Sequence, residues 1–233
     1  MVQFKKIIKF NYLFFFIFIS INTYSIENYE AEYRFKSSEI SLKGKRVLTI
    51  NEDGISSLSL KAKSTLARLY FETNFNIDAD TVSTKSYVIN VKPGFVNRDQ
   101  EVLIDKELGL MSSLGRDEWS VKSPQYEVLD PLNAQVQIRI NILKGLKSFN
   151  LILLEIKNGE VEDNFYTVTS EDKKCLVGED EYSCIELTRI REDEDRKTTY
   201  LMAKELNYMF VKIKDVSPKR TNTLTLEKIL SLG

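Results

Sequence analysis

The chain has 233 residues, with 33 Lys and Arg against 34 Asp and Glu, and it lacks histidine altogether. A formal charge of −1 with both signs interspersed gives no electrostatic basis for nucleic acid or an anionic membrane as principal partner. The missing histidine excludes Ser-His-Asp, Cys-His and histidine–metal arrangements, so any acid–base chemistry would fall to carboxylates.

Residues 1–25 have the pattern of a secretory signal: Lys5, Lys6 and Lys9 precede an apolar run from Tyr12 to Ile21, and Thr23 and Ser25 supply small residues for cleavage. The apolar run is about half the roughly 20 residues that a bilayer-spanning helix needs, which leaves a retained anchor as the alternative. No cysteine lies near the expected cut, so lipidation is not expected. Cleavage after Ser25 leaves 208 residues, enough for a single domain over 26–233, and removes three lysines and no acid, taking the formal charge to −4.

Strand signals follow almost without pause. In "YEAEYRF", Tyr29, Ala31, Tyr33 and Phe35 share one face, with Glu30, Glu32 and Arg34 on the other. "KRVLTINEDG" reaches a turn at Asp53-Gly54, and "ISSLSLKAKS" returns from it as a hairpin. "LARLYFETNFNI" and "TKSYVINVKPG" come next, the latter closed by Pro93-Gly94, and then the shorter "EVLID" and "EWSVKS". The basic clusters "KGKR" (Lys43 to Arg46) and Lys219-Arg220 are expected to be solvated turns.

One segment breaks the pattern. In "VLDPLNAQVQIR" and the residues after it, Val136, Ile138, Ile140 and Ile142 alternate as a strand would, yet Asp130-Pro131 opens a helix and Gly145 closes one. Because both ends are punctuated, we expect a helix over about 131–144. Leu132, Val136, Ile140 and Leu143 would form its packed stripe, and the helix would plug or cover one mouth of a curled sheet.

After it, "FNLILLEIKNG" is apolar on both parities, as expected of a strand covered on both faces. "NFYTVTSEDKK", "SCIELTRIRED", "KTTYLMAKE", "LNYMFVKIKD" and "NTLTLEKIL" continue the series, with the acidic "REDEDR" (Arg191 to Arg196) at a loop tip. Cys175 and Cys184 flank the turn-forming Gly178 to Glu181, so a hairpin would set them face to face. Export favours a structural disulfide over a metal or redox pair. The fold class is mainly β: a single curved antiparallel sheet forming an open or closed barrel, with one helix covering an end.

Acidic runs at 179–181 and 192–195 lack the alternating spacing of a calcium loop and suit solvated hairpin tips. Glu118-Trp119 has the look of a sugar-stacking pair, although a lone tryptophan more often packs against a core. Aromatic residues on one face of a curled sheet either line a cavity or fill it.

"LDPLNAQVQIRINILKG" resembles the Asp-Pro-Leu segment ending in Leu-Arg of a family of exported Gram-negative proteins, domain of unknown function 3108, and "KTTYLMAKELNYMFVKI" is similar to its closing signature. The positions that carry the resemblance are Asp130, Pro131, Leu132, Arg139, Tyr200, Leu201, Ala203 and Val211. Tyr200 stands where the family usually has Trp, and Phe210 stands in its Pro position. The resemblance implies a periplasmic, soluble, barrel-like or half-barrel protein and no reaction. The expected role is therefore a non-enzymatic envelope protein without cofactors, binding an apolar ligand such as a lipid or acyl chain in its sheet. The alternatives are an adaptor with a packed core, acting on an envelope protein partner, and a carboxylate-based hydrolase of envelope polysaccharide.

Overall fold

The alternation along Tyr29–Lys36 (β1) survives intact in three dimensions: Tyr29, Ala31 and Tyr33 are buried, and the intervening residues face outward. The computed structural model describes residues 26–51, 54–64, 67–92, 98–191 and 195–233. The expected signal over 1–25, Asp53, Pro93-Gly94 and Glu192 to Glu194 lie outside the described residues.

Seven further strands follow β1: Ser41–Thr49 (β2), Ser56–Lys63 (β3), Arg68–Asp78 (β4), Thr81–Lys92 (β5), Arg98–Asp105 (β6), Leu110–Gly115 (β7) and Trp119–Lys122 (β8). A helix, Ala134–Leu143 (α1), then leads into Ser148–Leu154 (β9), Val161–Val177 (β10), Asp180–Ile190 (β11), Lys197–Ala203 (β12), Met209–Ser217 (β13) and Arg220–Leu232 (β14). All fourteen form one antiparallel sheet in the order β8-β7-β6-β5-β4-β3-β2-β1-β14-β13-β12-β11-β10-β9. First and last strands therefore pair in the middle, Tyr29 opposite Leu232 and Lys36 opposite Thr223, and β8 and β9 are the edges.

The sheet curls but does not close into a barrel. Its edges meet through side chains instead of a ladder: Trp119 Nε1 and Gln100 Nε2 both donate to the Ile156 carbonyl, at 2.9 and 2.7 Å. Gly159 lies under the Trp119 ring at φ +77, where an added Cβ would come within 2.7 Å of the ring carbons. Trp119 is thus a seam residue packed on the core, and its neighbour Glu118 is exposed. The apolar "FNLILL" strand is an edge in sheet order yet mostly covered, because Leu129 pairs beside Leu153 as a parallel bridge.

The helix differs from expectation in extent and setting. Residues 131–133 form a preceding turn, and α1 itself begins at Ala134. Its stop is as expected: Gly145, at φ +80, donates to Ile142 O and Leu146 donates to Asn141 O, the paired bonds of a glycine-terminated helix. From Ala134 to Ile142 every residue except Gln135 is buried. No single stripe packs on the sheet, because the sheet wraps the helix and buries Ile138 and Ile142 along with Val136 and Ile140.

Three other readings need correction. "KGKR" is no turn: it lies inside β2, where Lys43 and Lys45 face outward to Glu227 and Glu30 while Arg46 turns inward and is 1% exposed. "LMSSLG" is a strand, β7, although its weak alternation and two serines gave no strand signal. The two strands read from "KTTYLMAKE" and "LNYMFVKIKD" are both present, but their facing ends are not strand: a 3-10 turn at Lys204–Leu206 and Asn207 and Tyr208 at φ 47 and 55 separate β12 from β13.

Cys175 and Cys184 are joined by a disulfide, with Cα atoms 6.0 Å apart. They are diagonal in the ladder and not face to face. The two-residue turn at 178–179 puts Cys175 opposite Tyr182 and Cys184 opposite Lys173. Both sulfurs are buried in the main core. Closing this short loop should stabilise by about 2–3 kcal/mol on the chain-entropy account. Cys175→Ser should accordingly lower Tm by roughly 4–12 °C under oxidising conditions and leave it unchanged in reductant; calorimetry of both forms with and without dithiothreitol checks this.

Candidate functional site

The two ends of the curled sheet are built differently, and the difference defines the candidate site. At the end where β1 begins, α1 fills the interior. Asp130 is fully buried and holds the helix entrance: one carboxylate oxygen accepts from the Leu132 and Asn133 amides at 2.7 and 2.9 Å, and the other accepts from Thr73 Oγ1 on β4 at 2.5 Å. Asn133 Nδ2 donates to Thr84 Oγ1, which donates to Val128 O. Further along, Gln137 accepts from the Val82 amide and donates to the Asp80 carbonyl, pinning the β4–β5 turn. Arg139 donates to the Asn207 carbonyl at 3.2 and 2.9 Å and lies 5.5 Å from the centre of the Tyr29 ring. The left-handed pair Asn207-Tyr208 is what aims that carbonyl inward.

A column of aromatic rings crosses the interior from β9 to β13. Phe149 stacks on Tyr166 at 5.6 Å, Tyr166 meets Tyr200 at 6.1 Å, and Tyr200 meets Phe210 at 5.7 Å. Arg46 sits between the Phe210 and Tyr33 rings, 5.9 and 5.5 Å from their centres, and the Tyr33 hydroxyl donates to Phe210 O. Arg46 Nε and Nη1 have no hydrogen-bond partner among the described residues, so the ring faces supply most of this cation's stabilisation. Burial pushes the Tyr33 and Tyr200 hydroxyls well above their usual range, keeping them neutral at any working pH. At this end the aromatic residues fill the sheet.

The opposite end, where β1 ends, is open. Phe35, Leu60, Leu69 and Phe71 form the floor of a cleft of about 810 Å³ on the concave face. Its walls are the β1–β2 turn, with Ile40, and the β13–β14 turn from Ser217 to Arg220, with Arg196 and Asn222 deeper in. The floor belongs to a separate small apolar cluster, Leu42, Ala62, Ala67 and Leu69 with Phe35, Phe71 and Val91 against it. Arg196 is fixed by a two-pronged bond to Asp215, at 2.9 Å for each closest pair. Burial pushes the Asp215 carboxyl up, but hydrogen bonds from Arg196 and Thr198 and the Arg196 charge outweigh this and hold it below its ordinary value. Lys219 and Arg220 form the exposed turn expected of them.

The positions singled out from the sequence thus gather in the plugged half. Asp130, Leu132, Arg139, Tyr200, Ala203 and Val211 are buried, Leu201 is half-buried, and only Pro131 is exposed. None of them lines the open cleft. No sequence motif marks the cleft, because its residues come from five separate segments. Its advance signals are Phe35 and Phe71 continuing the inward face of their strands, and Lys219-Arg220 and the end of "REDEDR", which read from the sequence only as solvated turns and tips. Among the described residues no group of three or more Cys, Asp or Glu is placed to hold a metal ion, and no helix is long and apolar enough to cross a membrane.

No family model matches the chain, and no curated protein does. The fold is similar to a crystal structure of a beta-barrel-like protein of domain of unknown function DUF1849 from Brucella abortus, at a TM-score of 0.55 and 10% identity over 88% of this chain and 97% of that one. At that identity the likeness is one of fold. It places the chain beside a barrel-like protein of unknown function, and that protein's domain is 1849, not 3108.

Burial holds the Asp130 carboxyl up at about 6, above its ordinary 3.8, against the opposing pull of its bonds from Thr73, Asn133 and Leu132. The folded state therefore binds this proton more tightly than the unfolded chain. The associated stability is fully present below pH about 4 and is lost as pH rises through about 6, an effect of roughly 2–3 kcal/mol. Asp130→Asn keeps an oxygen to cap the helix and removes the titration. Urea unfolding of both proteins at pH 4 and pH 7 should show wild type losing that much relative to the variant.

Proposed function

We propose that this is an exported, non-catalytic protein of the bacterial envelope that holds an apolar ligand, a lipid or acyl chain, at the open mouth of its curled sheet. The observation that carries the reading is the asymmetry of the ends. One half of the concave face is consumed by α1 and the aromatic column, while the other presents an apolar floor under an open volume within the range of small-molecule sites. A buried disulfide supports residence in an oxidising compartment such as the periplasm. Kinship with the domain-3108 proteins rests on the motif residues alone. There Tyr200 and Phe210, the two departures, pack against each other with their rings tilted and keep an aromatic contact in the core.

A non-catalytic role fits the placement of the acids. The strongly perturbed carboxyl, Asp130, is sealed in the plugged half as a helix cap, and Asp215, behind the cleft-lining Arg196, is committed to Arg196 and Thr198. The second reading, an adaptor with a packed core, is favoured by the filled half: there the sheet offers an envelope protein partner only its outer surface.

Native mass spectrometry of protein purified gently from the periplasm, with organic extraction of the same sample, should show a stoichiometric adduct that extracts as lipid. Ile40→Asp, at an exposed position on the cleft wall, should leave Tm unchanged and weaken apolar uptake about tenfold. Bare protein that also fails to take up any added amphiphile would favour the adaptor.

A further inference from the structure

We infer that the occupant of the cleft is a single-chain amphiphile with an anionic oxygen head group, a carboxylate or phosphate, its chain in the cleft and its head on a basic shelf beside it. This deepens the proposed function and rests on it. The shelf is a second concavity, of about 580 Å³, that shares the β1–β2 and β13–β14 turns with the cleft as a common wall. Ser37, Ser38, Ser217, Pro218, Lys219 and Arg220 line both hollows. The two turns are neighbours because β1 and β14 pair, with Lys36 opposite Thr223.

The acids lie on one side of that wall, while Lys219 and Arg220 belong to both hollows. On the cleft side, Glu39 and Asp195 accompany Arg196. The shelf is lined by Lys36, Lys219 and Arg220 and by no carboxylate. None of these three cations has an ion-pair partner among the described residues. Hydroxyls complete the shelf. Ser37 Oγ accepts from the Glu39 and Ile40 amides, which leaves its hydroxyl hydrogen available to donate. Cations and hydroxyl donors with no competing acid suit an oxyanion, and an apolar floor across one turn suits the chain attached to it. A neutral lipid would use the floor and leave the shelf idle.

The test compares dodecanoate, dodecyl phosphate, dodecanol and inorganic phosphate by titration calorimetry on wild type, on Lys219→Ala/Arg220→Ala, and on Lys157→Ala as an exposed control. Wild type should prefer the two anionic amphiphiles to dodecanol, with a preference that shrinks in high salt. The double variant should lose about tenfold for both anions and nothing for dodecanol. Equal affinity for dodecanol and dodecanoate, or an equal loss for both in the double variant, overturns the inference while leaving apolar uptake intact. If inorganic phosphate binds as tightly as dodecyl phosphate, the shelf is a free-anion site and the inference fails. It fails too if the protein sediments with phosphatidylglycerol vesicles through Lys219 and Arg220 yet takes up no dodecanoate, because the shelf then faces a membrane. If no amphiphile binds at all, the proposed function falls first and the inference with it.

Discussion

A helix enclosed on nearly every side by one sheet needs partners for the polar groups it brings inside, and three of its contacts find them in remote parts of the sheet. Asp130 ties the helix entrance to β4, Gln137 ties its middle to the β4–β5 turn, and Arg139 ties it to the link between β12 and β13. These attachments lie on both sides of the central β1–β14 pair. The helix therefore sets the curvature of the whole sheet, and the distance between its two halves follows from where those three side chains reach. An unsatisfied buried polar group costs on the order of 1–3 kcal/mol, so the arrangement has little freedom to slip.

The functional contrast follows from the same geometry. The helix is ten residues long, about 15 Å, whereas a strand such as β4, with eleven residues, spans roughly 36 Å. A plug that short fills one half of the concave face. The other half is covered only by what its own strands supply, Leu42, Ala62 and Leu69 with the flanking phenylalanines, and it stays open above them. The cleft exists because the inward apolar pattern continues past the point where the helix stops.

Much of the fold was legible because strand alternation is a local signal. It gave every strand but β7, as well as the helix from its two punctuated ends and the curved antiparallel sheet that results. What it misplaced depends on tertiary partners. Arg46 looked like part of a solvated basic cluster, and only the rings of Tyr33 and Phe210, distant from it in sequence, make an inward arginine tolerable. The β12–β13 link looked like strand because Asn207 and Tyr208 adopt left-handed backbone to serve Arg139, which no neighbouring residue announces. Cys175 and Cys184 were paired correctly but set one register step off, since a two-residue turn moves the hairpin's centre. The cleft was hard to see for a simpler reason: its floor and walls come from segments that meet only when the sheet curls.

The pairing of β1 with β14 also governs the order in which this chain becomes a structure. Every other ladder joins neighbours in sequence and can form as soon as both strands are available. The central ladder joins Tyr29 to Leu232, and the Gly233 amide to the Asn28 carbonyl, across almost the full described length. Two meanders can thus assemble independently, one from each half, while the seam between them waits for the final strand. Contacts of such long range slow folding. They leave both edges of the future seam unpaired until β14 is available, which is the interval in which a chain of this design is most exposed to wrong strand pairing.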